Sequence, residues 1–255
     1  MRSPKRAIAN RTVAAAHSRQ PSGGASAEGE QVETKSSARL LQGANIKVNP
    51  SDIGSDIAFG DHKIAFVVSY CQGKDVLDIG CVQHDPEAYR NRFWVHKAVA
   101  AVAKSIVGVD LHEEGVKVLQ AQGFNVVVAN AECFDLGCTF DVIVAGDIIE
   151  HLEDFKGFLE SCKSHLRPGG RLIISTPNPW YWRNIIKAAL HTEVNNNPEH
   201  VCWICPRTLR QLVARHGMEL GEIKFGSRYI RDRLMPLPGG WKHTSYHAEV
   251  FLRKV

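Results

Sequence analysis

The sequence predicts an α/β fold, with a doubly wound, mostly parallel seven-stranded sheet and helices on both faces. Short runs of consecutive apolar, largely β-branched residues recur along the chain, as expected of strands buried on both faces of a parallel sheet. The segments between these runs place apolar residues at helical spacing. Strands that alternate with helices are typical of right-handed βαβ units, which build a doubly wound sheet.

Seven apolar runs are the predicted strands. They cover residues 76–80, 105–110, 125–129, 140–146, 171–175, 220–225 and 247–252. Predicted helices cover residues 64–68, 87–104, 113–122, 152–166, 180–190 and 206–216. The last helix has clear limits, because Pro206 suits a first helical turn and Gly217 suits a helix end.

The chain divides into a tail, residues 1–38, and a folded domain, residues 39–255. The stretch 20–38 is rich in Ser, Gly, Glu and Gln, so it buries too little apolar surface to offset the entropy cost of ordering. Residues 2–19 are basic and contain no acid, as in an organellar transit peptide. A solvated bacterial tail or a mis-assigned start codon would have the same composition. We expect the tail to be disordered.

Composition excludes several classes of function. The net charge is +4, and six basic against three acidic residues in the tail account for most of it. The nearly neutral domain has no strong field to gather nucleic acid, so a nucleic-acid partner is disfavoured. No apolar run approaches the roughly 18–20 residues of a membrane helix. Seven cysteines without a regular framework favour a reducing compartment, which we expect to be the cytoplasm.

Acids and glycines at the carboxyl ends of the predicted strands are the candidate binding residues, because ligands of doubly wound sheets bind at that edge. Asp110 can accept hydrogen bonds from both hydroxyls of a ribose, and Gly80 allows close approach because it has no Cβ. The dinucleotide pattern is absent, since Gly80 is not followed by the second and third glycines and Asp110 lies 30 positions later. No Walker lysine pattern occurs either. The sequence therefore predicts a nucleoside-type ligand without a pyrophosphate.

Five segments, taken in order, resemble class I S-adenosylmethionine-dependent methyltransferases. They are VLDIGC at 76–81, VGVD at 107–110, ANAE at 129–132, FDVIVAGDIIEHL at 140–152 and LRPGGRLIISTPN at 166–178. The resemblance covers about residues 60–255, and it implies a Rossmann-like methyltransferase fold with S-adenosyl-L-methionine as cofactor. It also implies contacts to the methionine part from Asp78, Gly80 and Cys81, to the ribose and adenine from Asp110, Leu111, Ala131 and Glu132, and to the sulfonium from Gly146 and Asp147.

The loop after the first strand departs from the family. The usual pattern is G-C-G-x-G, and this chain has Gly80-Cys81-Val82-Gln83-His84. Two alternatives stay open: a wider loop in which Gln83 or His84 contacts the cofactor carboxylate, or a damaged site in an inactive protein. The acids have structural alternatives as well, with Asp78 capping the strand end, Asp110 capping the next helix and Glu132 a solvated loop charge.

The acceptor is expected to lie against residues 177–205. This segment combines Asn, Glu and His with three tryptophans, Trp180, Trp182 and Trp203, which suits a polyhydroxylated molecule such as a sugar. An ordinary surface loop would have the same composition. Methylation of a hydroxyl calls for a general base, and histidine suits that role near neutral pH.

Among the histidines, His200 is the first candidate for the catalytic base and His151 the second, with His191 also in the segment. Glu150 and His151 could instead simply begin a helix. No metal site is assigned, because Cys202-x-x-Cys205 is one pair without a second.

The favoured function is therefore O-methylation of a saccharide or small-molecule hydroxyl. The alternatives are a methyltransferase acting on another acceptor, such as a protein or a quinone, and a catalytically inactive binding protein on the same fold. The altered loop after Gly80 is the feature that favours the inactive alternative.

Overall fold

The computed structural model describes residues 62–83, 87–91, 93–192, 197–226 and 230–253. The predicted tail and His84 lie outside these residues. The strands are β1 (Asp75–Ile79), β2 (Ser105–Asp110), β3 (Val126–Val128), β4 (Phe140–Gly146), β5 (Leu166–Pro177), β6 (Met218–Gly226) and β7 (Ser245–Leu252). The α-helices are α1 (His62–Cys71), α2 (Val95–Ala100), α3 (Glu113–Ala121), α4 (Phe155–His165), α5 (Trp182–Ala189), α6 (Pro206–Arg215) and α7 (Ile230–Arg233).

The strands form one seven-stranded sheet in the order β3-β2-β1-β4-β5-β7-β6. β7 is antiparallel to its neighbours β5 and β6, and the other adjacent pairs are parallel. The predicted fold class is thus confirmed. The strand order reverses between β1 and β4, so the crevice at their carboxyl ends is the position where ligands of such sheets bind.

Alternate strand residues enter two separate cores. Leu77, Ile143 and Leu172 belong to the core beneath α4 and α6, whereas Val76 and Ile173 join the core beneath α1 and α2. Successive side chains of a strand point to opposite faces, and both faces are covered here. The near-continuous apolar runs in the sequence follow from this double burial.

One predicted helix is wrong in its extent. The described residues of the range 87–104 form α2 and a short 3-10 turn at Ala88–Arg90. The side-chain oxygen of Asn91 accepts a hydrogen bond from the backbone N–H of Phe93 at 2.9 Å, a local bond that competes with helix formation. Phe93, predicted on the apolar side of a helix, is 39% exposed as a result.

All seven cysteines are thiols, with none in a disulfide. Among the helices of the described residues, none has both the length and the apolar character needed to cross a bilayer.

Candidate functional site

The site is built at the crevice between the carboxyl ends of β1 and β4. β1 runs directly into Gly80, which has a positive φ of 80° that glycine adopts without strain. A Cβ at this position would also lie 3.1 Å from Cδ1 of Ile148, tighter than an ordinary van der Waals contact. The positive φ and the nearby Ile148 side chain therefore favour glycine here, while close approach of a ligand stays a prediction.

The carboxylate of Asp110 joins the loops that follow β1 and β2. Its Oδ2 accepts a hydrogen bond from the backbone N–H of Val82 at 2.8 Å, and its Oδ1 accepts one from His112 at 2.9 Å. The helix-cap alternative for Asp110 is wrong, because His112 caps α3 through a bond from Gly115 N to its Nδ1. A carboxylate has about four acceptor sites, so Asp110 keeps capacity for a ligand. Next to it, Leu111 is 68% exposed.

The loop after Gly80 is shaped by side chains where the family has glycines. Cys81 is buried in an apolar cluster with Val82 and Trp94, and burial raises the pKa of its thiol well above the usual range. Val82 packs where Gly115 of α3 leaves room, since a Cβ on Gly115 would overlap its side chain. Gln83 is exposed and has a φ of 55°. The side chain of Cys81 is therefore taken up by this cluster, and only its backbone remains for a contact with a ligand.

Asp78 is engaged inside the protein. It is 4% exposed, and its Oδ2 lies 2.9 Å from Nδ1 of His96 in α2. Alternation along β1 directs Asp78 to the face that carries α2, the same face as Val76. This contact supports the structural role of Asp78, in which it fixes the strand end against α2.

The acid after β3 orders the backbone ahead of α4. Oε1 of Glu132 accepts hydrogen bonds from the backbone N–H groups of Glu153 at 2.7 Å and Asp154 at 2.8 Å. Glu132 is therefore a structural acceptor as well as a candidate ligand, and the solvated-charge alternative is wrong. Its neighbour Ala131 is partly buried against the main core.

The end of β4 carries an ion pair. Asp147, with a φ of 54°, accepts a hydrogen bond from Nζ of Lys63 at 2.6 Å and another from Ser175 Oγ at 3.1 Å. Desolvation acts to raise the pKa of Asp147, but the Lys63 ammonium outweighs it and the pKa is lowered. Gly146 faces the same lysine, whose Nζ would lie 3.4 Å from a Cβ at that position.

In the 3-10 turn that follows β4, His151 contacts His200, the other histidine predicted as a catalytic base. The ring centroids of His151 and His200 are 4.7 Å apart, in an edge-to-face arrangement. Glu150 lies beside them, 2% exposed, with its Oε1 3.9 Å from Nε2 of His200. Burial, followed by the charge of Asp147, raises the pKa of Glu150 to about 8. His191, by contrast, is an exposed residue just beyond α5.

The segment that carries His200 is tied down on both sides. The backbone N–H of Val201 donates to the carbonyl of Glu150 at 2.9 Å, and the hydroxyl of Tyr246 donates to the carbonyl of Ile204 at 2.9 Å. The thiol of Cys205 accepts from the backbone N–H of Thr208 and so caps α6. The described part of this segment is thus more ordered than a plain surface loop.

Two tryptophans and the turn after β5 lie in the segment where the acceptor is predicted to bind. Trp180 and Trp203 are 41% and 39% exposed, and both remain accessible to a bound molecule. Asn178 is fully buried, and its Nδ2 donates to the carbonyl of His243 at 2.8 Å. The turn after β5 is therefore fixed by the segment before β7.

Sequence reasoning missed Lys63 and undervalued Glu150. Lys63 reaches Asp147 across 84 positions of sequence, and no local pattern signals such a contact. Glu150 was visible only as a neighbour of His151. Its partner Thr176, which donates to Glu150 Oε2 at 2.9 Å, comes from the next strand of the sheet.

Comparison with known proteins agrees with this geometry. Residues 59–223, more than half of the chain, match a family model described as a methyltransferase domain. Among curated proteins, the chain is 32% identical over 167 residues to a Mycolicibacterium smegmatis protein named "Probable S-adenosylmethionine-dependent methyltransferase", covering 64% of this chain and 59% of that one. It is 30% identical over 114 residues to a ubiquinone biosynthesis O-methyltransferase of Rhizobium etli, covering 42% of each. The chain thus spans about half the length of the curated relatives it matches.

Solved structures share the fold. A SAM-dependent methyltransferase from Archaeoglobus fulgidus superposes with a TM-score of 0.50 at 20% identity, over 74% of this chain and 90% of that one. Magnesium protoporphyrin IX methyltransferase from Synechocystis, solved with bound SAH, gives a TM-score of 0.52 at 15% identity, over 88% of this chain and 94% of that one. Because the family match spans every strand-end residue described above, the chain belongs to the class I S-adenosylmethionine-dependent methyltransferases.

Proposed function

We propose that this protein transfers the methyl group of S-adenosylmethionine to a hydroxyl oxygen of a saccharide or another small molecule, in the cytoplasm. The observation that carries the proposal is the meeting of His151 and His200 beside the carboxyl end of β4. A base at this position is needed for a hydroxyl acceptor. The similarity to a ubiquinone biosynthesis O-methyltransferase also favours oxygen as the accepting atom.

The cofactor edge fits a nucleoside with an amino-acid side chain. Gly80 leaves the backbone after β1 open to close approach by a ligand. Asp110 retains acceptor capacity for the ribose hydroxyls. The exposed side chain of Leu111 offers an apolar surface to the adenine ring. Gly146 and Asp147 would lie nearest to the sulfonium. Asp78, Cys81, Ala131 and Glu132 would support these contacts, chiefly by shaping the backbone around them.

When bound, the cofactor supplies a methyl carbon that is electrophilic because it is attached to a sulfonium. The chain's own residues supply alignment and proton removal, and alignment alone converts a bimolecular step into an effectively intramolecular one. In the proposed reaction His200 accepts the hydroxyl proton, with His151 as the second candidate. The acceptor oxygen forms the new C–O bond, and the pair of the broken C–S bond remains on sulfur.

Equilibrium binding of S-adenosylmethionine to the full chain, followed by transfer of a labelled methyl group to a panel of acceptors, tests this function. The panel holds glycans, small hydroxylated molecules, a quinol, amines, carboxylic acids and a protein mixture. We expect cofactor binding and a product labelled on oxygen. Labelling only on nitrogen, on a carboxylate or on protein would contradict the hydroxyl acceptor, and binding without any transfer would favour an inactive binding protein.

A further inference from the structure

The acceptor side of the crevice, where Glu150 and His151 after β4 meet His200 and the proposed acceptor would bind, gathers three potential metal ligands. One donor atom from each of Glu150, His151 and His200 can be chosen so that all three lie within 4.8 Å of one another. Glu150 and His151 are adjacent in a 3-10 turn, Ile149–His151, whereas His200 comes from the segment that precedes α6. The cluster is therefore made by the tertiary fold and not by a local repeat.

The buried carboxylate of Glu150 provides an independent sign of a missing partner. Its Oε2 accepts a hydrogen bond from Thr176, but its Oε1 has no hydrogen-bond partner within the described part of the chain. That oxygen is directed toward His200, whose Nε2 lies 3.9 Å away, too far for a hydrogen bond. Buried polar atoms almost always have a partner, so a ligand from outside the chain would explain this one.

We propose that Glu150, His151 and His200 bind a divalent transition-metal ion. Two imidazole nitrogens and one carboxylate oxygen form a donor set that suits zinc and its neighbours, and three such ligands leave a position open for substrate. Magnesium and calcium prefer all-oxygen sites. The identity of the donors thus favours an ion such as Zn²⁺.

The surroundings hold the ligands as metal sites require. Thr176 fixes one oxygen of Glu150 and so orients the other, which is the role that outer partners play in metal sites. The bond from Val201 N–H to the Glu150 carbonyl joins the two segments that carry the ligands. Donors at the usual Zn–N and Zn–O distances of about 2.0–2.2 Å lie about 3.4 Å apart around a tetrahedral ion. The three donors, which lie within 4.8 Å of one another, must therefore draw together on binding.

The ion would also take part in the proposed methyl transfer, and this role rests on the proposed function. The acceptor hydroxyl binds at the open position, where the ion lowers its pKa and the proton passes to solvent water. Its oxygen then attacks the methyl carbon, and the C–S electron pair stays on sulfur. In this state His151 and His200 are ligands, and His200 acts as a base only in the metal-free protein. An acceptor with oxygens on adjacent carbons, such as a sugar diol, would bind the ion through both oxygens in a five-coordinate state.

The test measures Zn²⁺ binding directly, in the full chain after removal of metals with a chelator. We expect one equivalent of Zn²⁺ by calorimetry and elemental analysis, and little binding of Mg²⁺. Glu150→Gln and His200→Ala should each weaken Zn²⁺ binding about tenfold or more. His216→Ala is the matched control, because His216 also lies beside a glutamate, Glu160, at 3.2 Å but outside the cluster, and its affinity should stay at the wild-type value.

Three results would overturn the metal site. These are no Zn²⁺ binding by the wild-type chain, equal binding by wild type and His200→Ala, and loss of binding in a Cys202→Ser/Cys205→Ser variant instead of in the histidine variants. If Glu150→Gln fails to fold by circular dichroism, His151→Ala replaces it. The two proposals fail separately: Zn²⁺ binding without methyl transfer contradicts only the proposed function, and methyl transfer by a protein that binds no Zn²⁺ contradicts only the metal site.

Discussion

The acids on the cofactor side of the crevice and the acid on its acceptor side use their oxygens differently. Asp110 and Glu132 each accept two backbone N–H groups, so the chain itself employs them to shape loops. Glu150 has one oxygen on Thr176 and the other without a partner among the residues that are described. The acids of the cofactor side are thus satisfied by the fold itself, whereas the acid of the acceptor side keeps a buried oxygen that the proposed ion would bind.

The largest expected effect lies on the acceptor side. His200→Ala should lower turnover by about 10²–10⁴-fold, the usual contribution of a positioned base, and in the metal-bound protein it would remove a ligand of the ion that replaces this base. The dissociation constant for S-adenosylmethionine should stay the same. His151→Ala is the second variant, and His216→Ala is the control. Rate measurements on the true acceptor decide it. If both variants keep near-native turnover, the acceptor is not a hydroxyl that needs a histidine, and the saccharide proposal fails.

On the cofactor side, Asp110→Ala should weaken S-adenosylmethionine binding by about one to two decades, or roughly 1.5–3 kcal/mol. The variant loses the proposed bonds to ribose and also the two backbone bonds that hold the loops after β1 and β2. Calorimetric titration measures the affinity, with Glu113→Ala as an exposed acidic control on α3. A folded variant with unchanged affinity would reduce Asp110 to a loop-ordering residue.

Two glycines of the sheet differ in how closely other side chains pack around them. A Cβ on Gly108 would lie 2.7 Å from Val126 Cγ1 and 2.8 Å from Cys81 Sγ, so Gly108→Ala should cost about 1–3 kcal/mol through overpacking. At Gly146 the nearest atoms are 3.4 Å away, at the flexible end of Lys63, and Gly146→Ala should cost less than about 1 kcal/mol. Urea unfolding compares the two variants, and equal losses of stability would show that the packing around Gly108 is no less tolerant than that around Gly146.

A carboxylate at the opposite end of β1 serves as a purely structural reference. Hydrogen bonds from Arg167 and Ser105 lower the pKa of Asp75 to about 2. This bonding stabilises the fold above the unfolded-state pKa of about 3.8, and the stabilisation is lost as the pH falls through that value toward 2. Asp75→Asn should therefore cost roughly 1–2 kcal/mol at pH 7 and much less near pH 2. Unfolding curves of both proteins at several pH values test this. If the difference in unfolding free energy between wild type and Asp75→Asn does not shrink in acid, the ion pairing of Asp75 is not its source.

The smallest expected effect is that of the tail. A chain that begins near Arg39 should bind S-adenosylmethionine as the full chain does, because residues 1–38 have almost no large apolar side chains and contribute little to a core. Calorimetric titration of both chains makes the comparison. A shortened protein that stays folded but loses affinity would show that the tail takes part in the cofactor site.

The sequence predicted the strands well and the contacts between them poorly. Apolar runs such as 105–110 and 140–146 coincide with β2 and β4, since double burial imposes its pattern locally. The helix predicted at 87–104 was too long at both ends. Before it begins, the Asn91 side chain satisfies the backbone N–H of Phe93 in another way, and the helix ends at Ala100. Local propensity does not reveal which of two competing hydrogen bonds wins in the folded chain.

At the site, the residue types were predictable and their partners were not. Asp110 and Glu132 were correctly placed at strand ends, but their backbone bonds depend on how the loops are packed. His151 and His200 were chosen separately as bases, and their contact arises only because the segment before α6 folds back over the end of β4. Lys63 could not have been found in this way, since its partner is set by the packing of α1 on the sheet.

Because β7 lies between β5 and β6 in the sheet, the acceptor side can form only after β7 has been synthesised. β7 follows the other six described strands in the chain, and β6 is bonded to the sheet through β7, while Tyr246 of β7 donates to the carbonyl of Ile204 near His200. A nascent chain ending before residue 245 can already pair β1 to β5 and shape the cofactor edge. The segment near His200 gains its bond from Tyr246 only when β7 inserts, so during synthesis the proposed acceptor half of the crevice is completed after the cofactor half.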